Sequence, residues 1–481
     1  MGYPMRIADE IKQQGYFWFM NNPENKYFGT LVIKDGGEIN LELINSHIDE
    51  SIFSSSIADD LDVCDRIGGY TERYSTVLLI DCQFTNSRLT TNVVKYNIYV
   101  KIAFLRHFNK ISLKENNSKL LATKMFFSVE GLDDWLGSPG FELTSDTINQ
   151  TSTLKYTKPN EIVSELDNGM TLSIYFTHST SFPFVREAKM TNKAYFRISS
   201  PHEEELFSFM TIAKKIVELF SFFLEATVSL EYVSVHLSGM QVDYDYNEKE
   251  PPNVEMFYQS RPFSEQCPKI SPFDKLISFK DIKDEFSSVI NSWINIYDKF
   301  EPALNLYFAA REGAFTYLDS KFLAMSQCLE SFCRRSDNKR VMDDESFAEI
   351  TVSLMNACPE QHKEWLSNKL KYSNEISLNT RIKEMFEPFS KYLGGNKEIK
   401  GLSRRITVTR NYLTHYDESL RDEAVTDNRE LLSLYFKMEA VFQLYLLRML
   451  KLSDDEIATI VTSNSHIKSK LSFLGDGKFE L

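Results

Sequence analysis

The sequence predicts an α+β protein in two parts: a β-rich N-terminal domain containing one long helix, then an all-α bundle. Three observations carry this. In the first half, apolar and polar residues alternate in short runs punctuated by Gly, Asn and Asp, as in half-buried strands. Beyond about residue 253, apolar residues are expected to recur every three to four positions, as in amphipathic helices. Between them DYDYNEKEPPN, 243–253, is charged and contains proline, which marks an exposed connection.

Taken in order, residues 28–44 (FGTLVIKDGGEINLELI) place Asp35-Gly36-Gly37 between two alternating runs, a hairpin signal. Thr76–Phe84 and Val93–Phe104 are rich in β-branched and aromatic residues. A second hairpin is expected where Asp167-Asn168-Gly169 separates EIVSEL from MTLSIYF. Ser200-Pro201-His202-Glu203 then reads as a helix start: an N-cap, a proline at the first helical position and a capping-box glutamate. Leu206, Phe209, Met210, Ala213, Ile216, Val217, Phe220 and Leu224 follow at helical spacing, and VSLEYVSVHL, 228–237, reads as a strand.

In the second half, Phe286, Val289, Ile290, Trp293, Tyr297 and Phe300 make one helical stripe. Phe322, Met325, Leu329 and Phe332 make another, and Leu378, Ile382, Met385, Phe386 and Phe389 a third. Ile399, Leu402 and Ile406 begin a fourth, and 429–451 is expected to be the longest helix. Its core, 431–450, is the most apolar stretch, but Lys437, Glu439, Gln443 and Arg448 interrupt it. Four such groups are costly in lipid, so a packed core helix is expected and no membrane partner.

Composition narrows the function. The chain has 481 residues, 42% apolar and 13% aromatic, with only 18 Gly and 14 Pro. That excludes a disordered, collagen-like or disulfide-scaffold protein. Lys and Arg number 54 against 68 Asp and Glu, a net charge of −14, which disfavours a protein that coats nucleic acid but leaves room for one small basic site. The six cysteines contain no C-x-x-C pair, so reduced, mostly buried thiols are expected. MGYPMRIADEIKQQ lacks the apolar core of a secretory signal, and Arg6 stands where myristoylation needs Ser or Thr; the expected location is cytoplasmic.

The chemistry lies in NKEIKGLSRRITVTRNYLTHYDESL, 396–420. Lys397, Lys400, Arg404, Arg405 and Arg410 stand against Glu398 alone between Asn396 and His415, a local excess of about +4. On a helix Asn411 and His415 share a face, and the long Arg410 side chain can reach it. A permanent cation, an amide and an imidazole suit cleavage of an RNA phosphodiester. Imidazole titrates near neutral pH and can take or return a proton, while a guanidinium stabilises charge on phosphate. A helix-end cap is the competing reading of His415, and a solvated face that of Arg404 and Arg405. No P-loop or H-E-x-x-H is present, and Cys358 with His362 lacks the further ligands of a metal site. Arg334, Arg335, Lys339 and Arg340 form a second basic cluster, either a solvated loop or an RNA contact.

Arg410-Asn411-Tyr412-Leu413-Thr414-His415, late in a helix of an all-α bundle, resembles the signature of HEPN ribonucleases. The run Phe322–Arg335, an apolar helix carrying Leu329-Glu330 before a basic end, is similar to the preceding helix of the ApeA-like HEPN branch. Gly15-Tyr16-Phe17-Trp18, Phe28-Gly29-Thr30-Leu31 and the Gly36–Leu43 strand resemble the opening of that family's N-terminal domain. The resemblance implies an ApeA-type β-rich sensor or regulatory domain over 1–250, a linker and connecting helix over 251–304, a HEPN domain over 305–465 and a tail over 466–481. It implies a metal-independent endoribonuclease of anti-phage defence, with no cofactor, and a homodimer or higher even oligomer in which two motifs face each other. Arg410, Asn411 and His415 would be catalytic. Glu330 either orients Arg410 or His415 or is a surface acid; Arg404, Arg405, Lys400, Arg334 and Arg335 would contact RNA. A phage-derived trigger would act on the N-terminal domain. The rival reading is a non-catalytic module that binds RNA or a protein.

Overall fold

The computed structural model describes residues 5–473 apart from 8, 46–64, 91–92, 108–110, 114–118, 138–139, 182–188, 243–251, 261–262, 272–274, 312–314 and 338. Cys64, most of the 243–253 connection and the end of the expected tail lie outside the described residues. The chain forms two compact units, Met1–Asn291 and Ser292–Leu481.

The first unit is strand-rich, as expected. Its strands are β1 Ile11–Phe19, β2 Tyr27–Ile33, β3 Ile39–Asn45, β4 Ile67–Thr71, β5 Thr76–Thr90, β6 Val93–Arg106, β7 Ile111–Leu113 and β8 Leu121–Val129. They continue as β9 Phe141–Asp146, β10 Thr151–Tyr156, β11 Ile162–Glu165, β12 Thr171–Thr180, β13 Met190–Glu205, β14 Leu230–Leu237, β15 Met240–Val242 and β16 Asn253–Tyr258. Among the described residues, twelve pair in the order β11-β12-β13-β8-β14-β16-β6-β3-β2-β1-β4-β5, and β5 returns to β6. That return closes β6, β3, β2, β1, β4 and β5 into a barrel. β6 is shared by the barrel and the open sheet. One edge carries β5 along its length, while the other passes from β3, at 94–100, to β16, at 102–105.

Period-2 alternation fills the barrel. Phe17, Phe19, Leu31, Ile33, Leu41, Leu43, Ile98 and Val100 are all buried. Both expected hairpins form, β2–β3 and β11–β12. The first turns through Gly36 and Gly37 at φ 96 and 74, a region that L side chains rarely adopt. Gly15 has a different reason to be glycine. It pairs with Gly29 on one side and Thr71 on the other, and a Cβ there would lie 2.0 Å from the Tyr70 carbonyl oxygen. Gly15→Ala should therefore destabilise the first unit by about 1–3 kcal/mol or more, because backbone must move to admit the methyl. A denaturant midpoint measured against wild type checks this, and an unshifted midpoint would refute it.

The helix start expected at Ser200–Glu203 is incorrect. β13 continues to Glu205, with Glu204 and Glu205 paired to Ala122 and Leu121 after an irregularity that begins past Ser199. Pro201 falls in this gap, where its missing N–H interrupts no ladder. After the short helix α1, Leu132–Leu136, the long helix α2 runs Leu206–Phe223. Leu206, Phe209, Ala213, Ile216, Val217 and Phe220 of its stripe are buried, as is Leu224 just past its end; Met210 is only half-buried.

After α3, Phe279–Ile282, the helices are α4 Phe286–Arg311, α5 Leu318–Ser336, α6 Asp344–Ala357, α7 Lys363–Leu370, α8 Leu378–Phe386, α9 Asn396–His415, α10 Asn428–Met449, α11 Asp454–Ser463 and α12 Ser465–Ser472. α4, with 26 residues, exceeds α10 with 22, so the expected longest helix is also corrected. In the second unit α10 packs against α5 and α12, and α9 against α8 and α5. Phe332 of α5 meets Phe442 of α10 edge-on at 5.3 Å. No helix among the described residues is long and apolar enough to cross a membrane.

The described cysteines form no disulfide with one another, and of them only Cys82 and Cys328 are buried; Cys333 and Cys358 are half-buried and Cys267 is exposed. Burial, the largest cause in each case, pushes the Cys328 thiol well up and Cys333 to about 11, leaving both protonated and unreactive near neutral pH.

Candidate functional site

α9 fixes the site. Its inner face, Ile399, Ser403, Ile406, Thr409 and Leu413, is buried, and the Thr409 hydroxyl accepts the Val425 N–H at 2.9 Å. The helix stops at His415 because Tyr416 turns into the left-handed region, φ 49, its N–H donating to the Tyr412 carbonyl at 2.6 Å. Tyr412 and Tyr416 then pack edge-on, with ring centres 5.8 Å apart.

Arg410 is held from two sides. Its Nη2 donates to Glu330 Oε2 at 3.0 Å, and its Nη1 to Asn411 Oδ1 at 3.2 Å. Of the two roles open to Glu330, the structure shows contact with Arg410. The other oxygen, Glu330 Oε1, accepts from Arg334 Nε at 3.3 Å, and Arg334 Nη1 lies 2.7 Å from Glu375 Oε2. Four charges thus alternate from Arg410 to Glu375. The Arg410 and Glu330 side chains are 29% and 20% exposed, so the guanidinium is oriented yet open to a ligand. It keeps donors beyond the two engaged here.

His415, on the last turn of the same helix, is exposed, and its imidazole makes no hydrogen bond to another described residue. Two residues on, the Ser419 hydroxyl and backbone N–H hold the Asp417 carboxyl below the usual range, so it stays ionised near the imidazole. The structure brings Arg410, Asn411, Glu330 and Arg334 into one network, with His415 beyond it at the helix end.

The expected RNA contacts fare differently. Arg404 Nη2 donates to Glu423 and Arg405 Nη2 to Glu430, each at 2.6 Å, and Arg335 Nη1 donates to the Lys299 carbonyl at 3.1 Å. Lys400 is exposed. The local excess of about +4 holds for α9 alone and is offset in the fold, where three of its five cations face a glutamate from outside α9. The pairs made by Arg404 and Arg405 are exposed and worth about 0–1 kcal/mol each, so a phosphate can displace them. Glu375, Glu423 and Glu430 escaped the sequence reading, since nothing local marks an acid that will meet a distant arginine.

The first unit carries a cleft of about 540 Å³ at the barrel wall beside the start of α2. Tyr99, Lys101, Lys119, Phe207, Met210 and Lys214 line it, and no sequence motif pointed there.

Comparison with known families matches residues 12–293 to the ApeA N-terminal domain 1 and residues 323–456 to the Apea-like HEPN domain. No curated protein and no solved structure matches the chain. Both halves thus point one way, and the chain belongs to the ApeA-like HEPN family of anti-phage proteins.

Proposed function

We propose that the chain is a metal-independent endoribonuclease acting in abortive anti-phage defence. The observation that carries this is Arg410, oriented by Glu330 and Asn411 at the open end of α9, one turn from the unengaged imidazole of His415. In this reading His415 takes the proton of a ribose 2′-hydroxyl, and the oxygen attacks the adjacent phosphorus. The phosphorus–O5′ bond breaks and the leaving oxygen collects a proton from a second imidazole, supplied by another copy of the chain. A 2′,3′-cyclic phosphate and a 5′-hydroxyl result. Arg410 stabilises the charge that grows on the non-bridging oxygens. Asn411, Arg334, Arg335, Arg404, Arg405 and Lys400 position the strand, Arg334, Arg404 and Arg405 by exchanging carboxylate partners for phosphate.

The first unit is regulatory in this reading, and its cleft is where a phage-derived trigger would act. The direct test incubates the full chain, with and without infected-cell extract, with total RNA in excess chelator. Cleavage leaving 2′,3′-cyclic phosphate ends is expected. A strict requirement for added Mg²⁺ would overturn the mechanism. RNA binding without any cleavage would favour the non-catalytic reading instead.

A further inference from the structure

The cleft of the first unit, about 540 Å³, has the size of a small-molecule site. Ile102, Leu206, Leu230 and Tyr258 give it a buried apolar lining. Its charge is unlike that of the chain. Among the described residues lining it are four cations, Arg66, Lys101, Lys119 and Lys214, against two acids, Asp81 and Glu205. The protein as a whole has a net charge of −14. Both acids already face lysines of the cleft: Asp81 accepts from Lys101 Nζ at 2.8 Å, and Glu205 from Lys119 Nζ. The Lys101 and Lys119 side chains are 65% and 70% exposed, so these pairs are weak and a bound anion can displace them. The start of α2 adds to the same field. Leu206 and Phe207 line the cleft, so the positive end of an 18-residue helix opens on it. Glu205 at its N-cap makes no side-chain cap bond, and no acid lies in the first turn.

Two rings and an amide define the rest of the ligand. Phe207 is 73% exposed, although the apolar stripe of α2 is buried. Tyr99 of β6 also lines the cleft, and its hydroxyl donates to Gln259 Oε1 at 3.3 Å. That bond leaves the Gln259 Nε2 hydrogens for the edge of a flat heterocycle, and either ring offers a face for stacking. Several cations beside a helix terminus suit a polyphosphate, whereas a single carboxylate would answer only one of them. We propose that the cleft binds a nucleoside triphosphate. Lys101, Lys119, Lys214 and the α2 N-terminus hold the phosphates, and Phe207, Tyr99 and Gln259 receive the base. That an occupied cleft governs the second unit rests on the regulatory reading of the first; the binding itself does not.

The test is equilibrium dialysis of the full chain against labelled ATP, GTP, CTP and UTP in turn, without RNA, so its failure is separate from failure of the nuclease reading. At least one of the four should bind at micromolar concentration. The matching nucleoside and inorganic tripolyphosphate should each bind about tenfold more weakly or worse, since each lacks half of the contacts. Lys101→Glu with Lys119→Glu should weaken binding about tenfold or more, and Phe207→Ala about threefold or more. All three side chains are exposed, so circular dichroism should not change. Arg410→Ala should bind as wild type does, which separates the cleft from the proposed RNA site. No binding of any of the four at millimolar concentration would overturn the proposal. So would wild-type binding in both cleft variants, loss of binding in Arg410→Ala, or tripolyphosphate binding as tightly as the nucleotide.

Discussion

His415→Ala is expected to lower the proposed RNA cleavage by about 10²–10⁴-fold, the range for losing a general acid–base group, and to leave the fold intact. The fold is spared because the imidazole is exposed and without a hydrogen bond to another described residue, and because the α9 terminus is set by the Tyr416 backbone. Arg410→Ala costs about 10²–10³-fold, as when a donor to developing charge is removed. It does not strand Glu330, which keeps Arg334. Arg410→Lys retains the charge but loses the planar fork that reaches Glu330 and Asn411 together, so it should recover only part of the activity. Glu330→Gln separates positioning from chemistry. It keeps the shape but frees the guanidinium, so kcat should fall while a neutral amide still fills the place. Initial rates in chelator beside thermal midpoints measure all four. Full activity in both alanine variants would remove the proposed mechanism, and a collapsed midpoint would assign these residues to structure.

Much of this was legible in the sequence, for physical reasons that vary along the chain. The Asp35–Gly37 hairpin and the stripes of α5 and α8 follow local rules of turn chemistry and periodicity, and the structure contains them. The α2 start was misread because Ser-Pro-x-Glu suits a helix cap and a broken strand equally; long-range pairing with β8 decided between them. Closure of the barrel through β5 and β6 is likewise a non-local event with no local signature. At the site, the spacing of Arg410, Asn411 and His415 was visible because one helix supplies all three. Glu330 was suggested only by a resemblance, and Glu375 not at all, because each acts from another element. A net charge of −14 weighs against a protein that coats nucleic acid, and the basic residues of α9 are the local exception. The ion pairs of α9 show that this segment is itself largely balanced, so RNA would be gripped by exchange of partners at a few arginines.

Glu439→Ala should cost about 3–5 kcal/mol of stability, the penalty for breaking a buried ion pair from one side. Glu439 is 4% exposed in the middle of α10. It accepts from Arg311 Nε at 3.2 Å and Lys470 Nζ at 3.1 Å, side chains 14% and 12% exposed. Lys470 also donates to Gln443 Oε1 at 3.0 Å, Gln443 Nε2 donates to the Tyr307 hydroxyl at 2.9 Å, and Arg311 Nη1 donates to the same hydroxyl at 2.7 Å. The five groups close a ring that ties α4, α10 and α12 together. Two of the polar residues that argued against a membrane span therefore have a structural task. Alanine takes from two poorly solvated cations the carboxylate they share, whereas Tyr307→Phe removes only neutral and charge-assisted contacts and should cost about 1–3 kcal/mol. A triple variant, Arg311→Met with Glu439→Leu and Lys470→Met, removes every charge at once and should recover most of the loss, since an ion pair replaced by packed apolar side chains is often neutral. Urea midpoints followed by helical circular dichroism rank the three. If Glu439→Ala and Tyr307→Phe are equally mild, the ring is solvated and contributes little. If the ranking holds, α10 is locked in place, and with it α5, whose Glu330 orients Arg410.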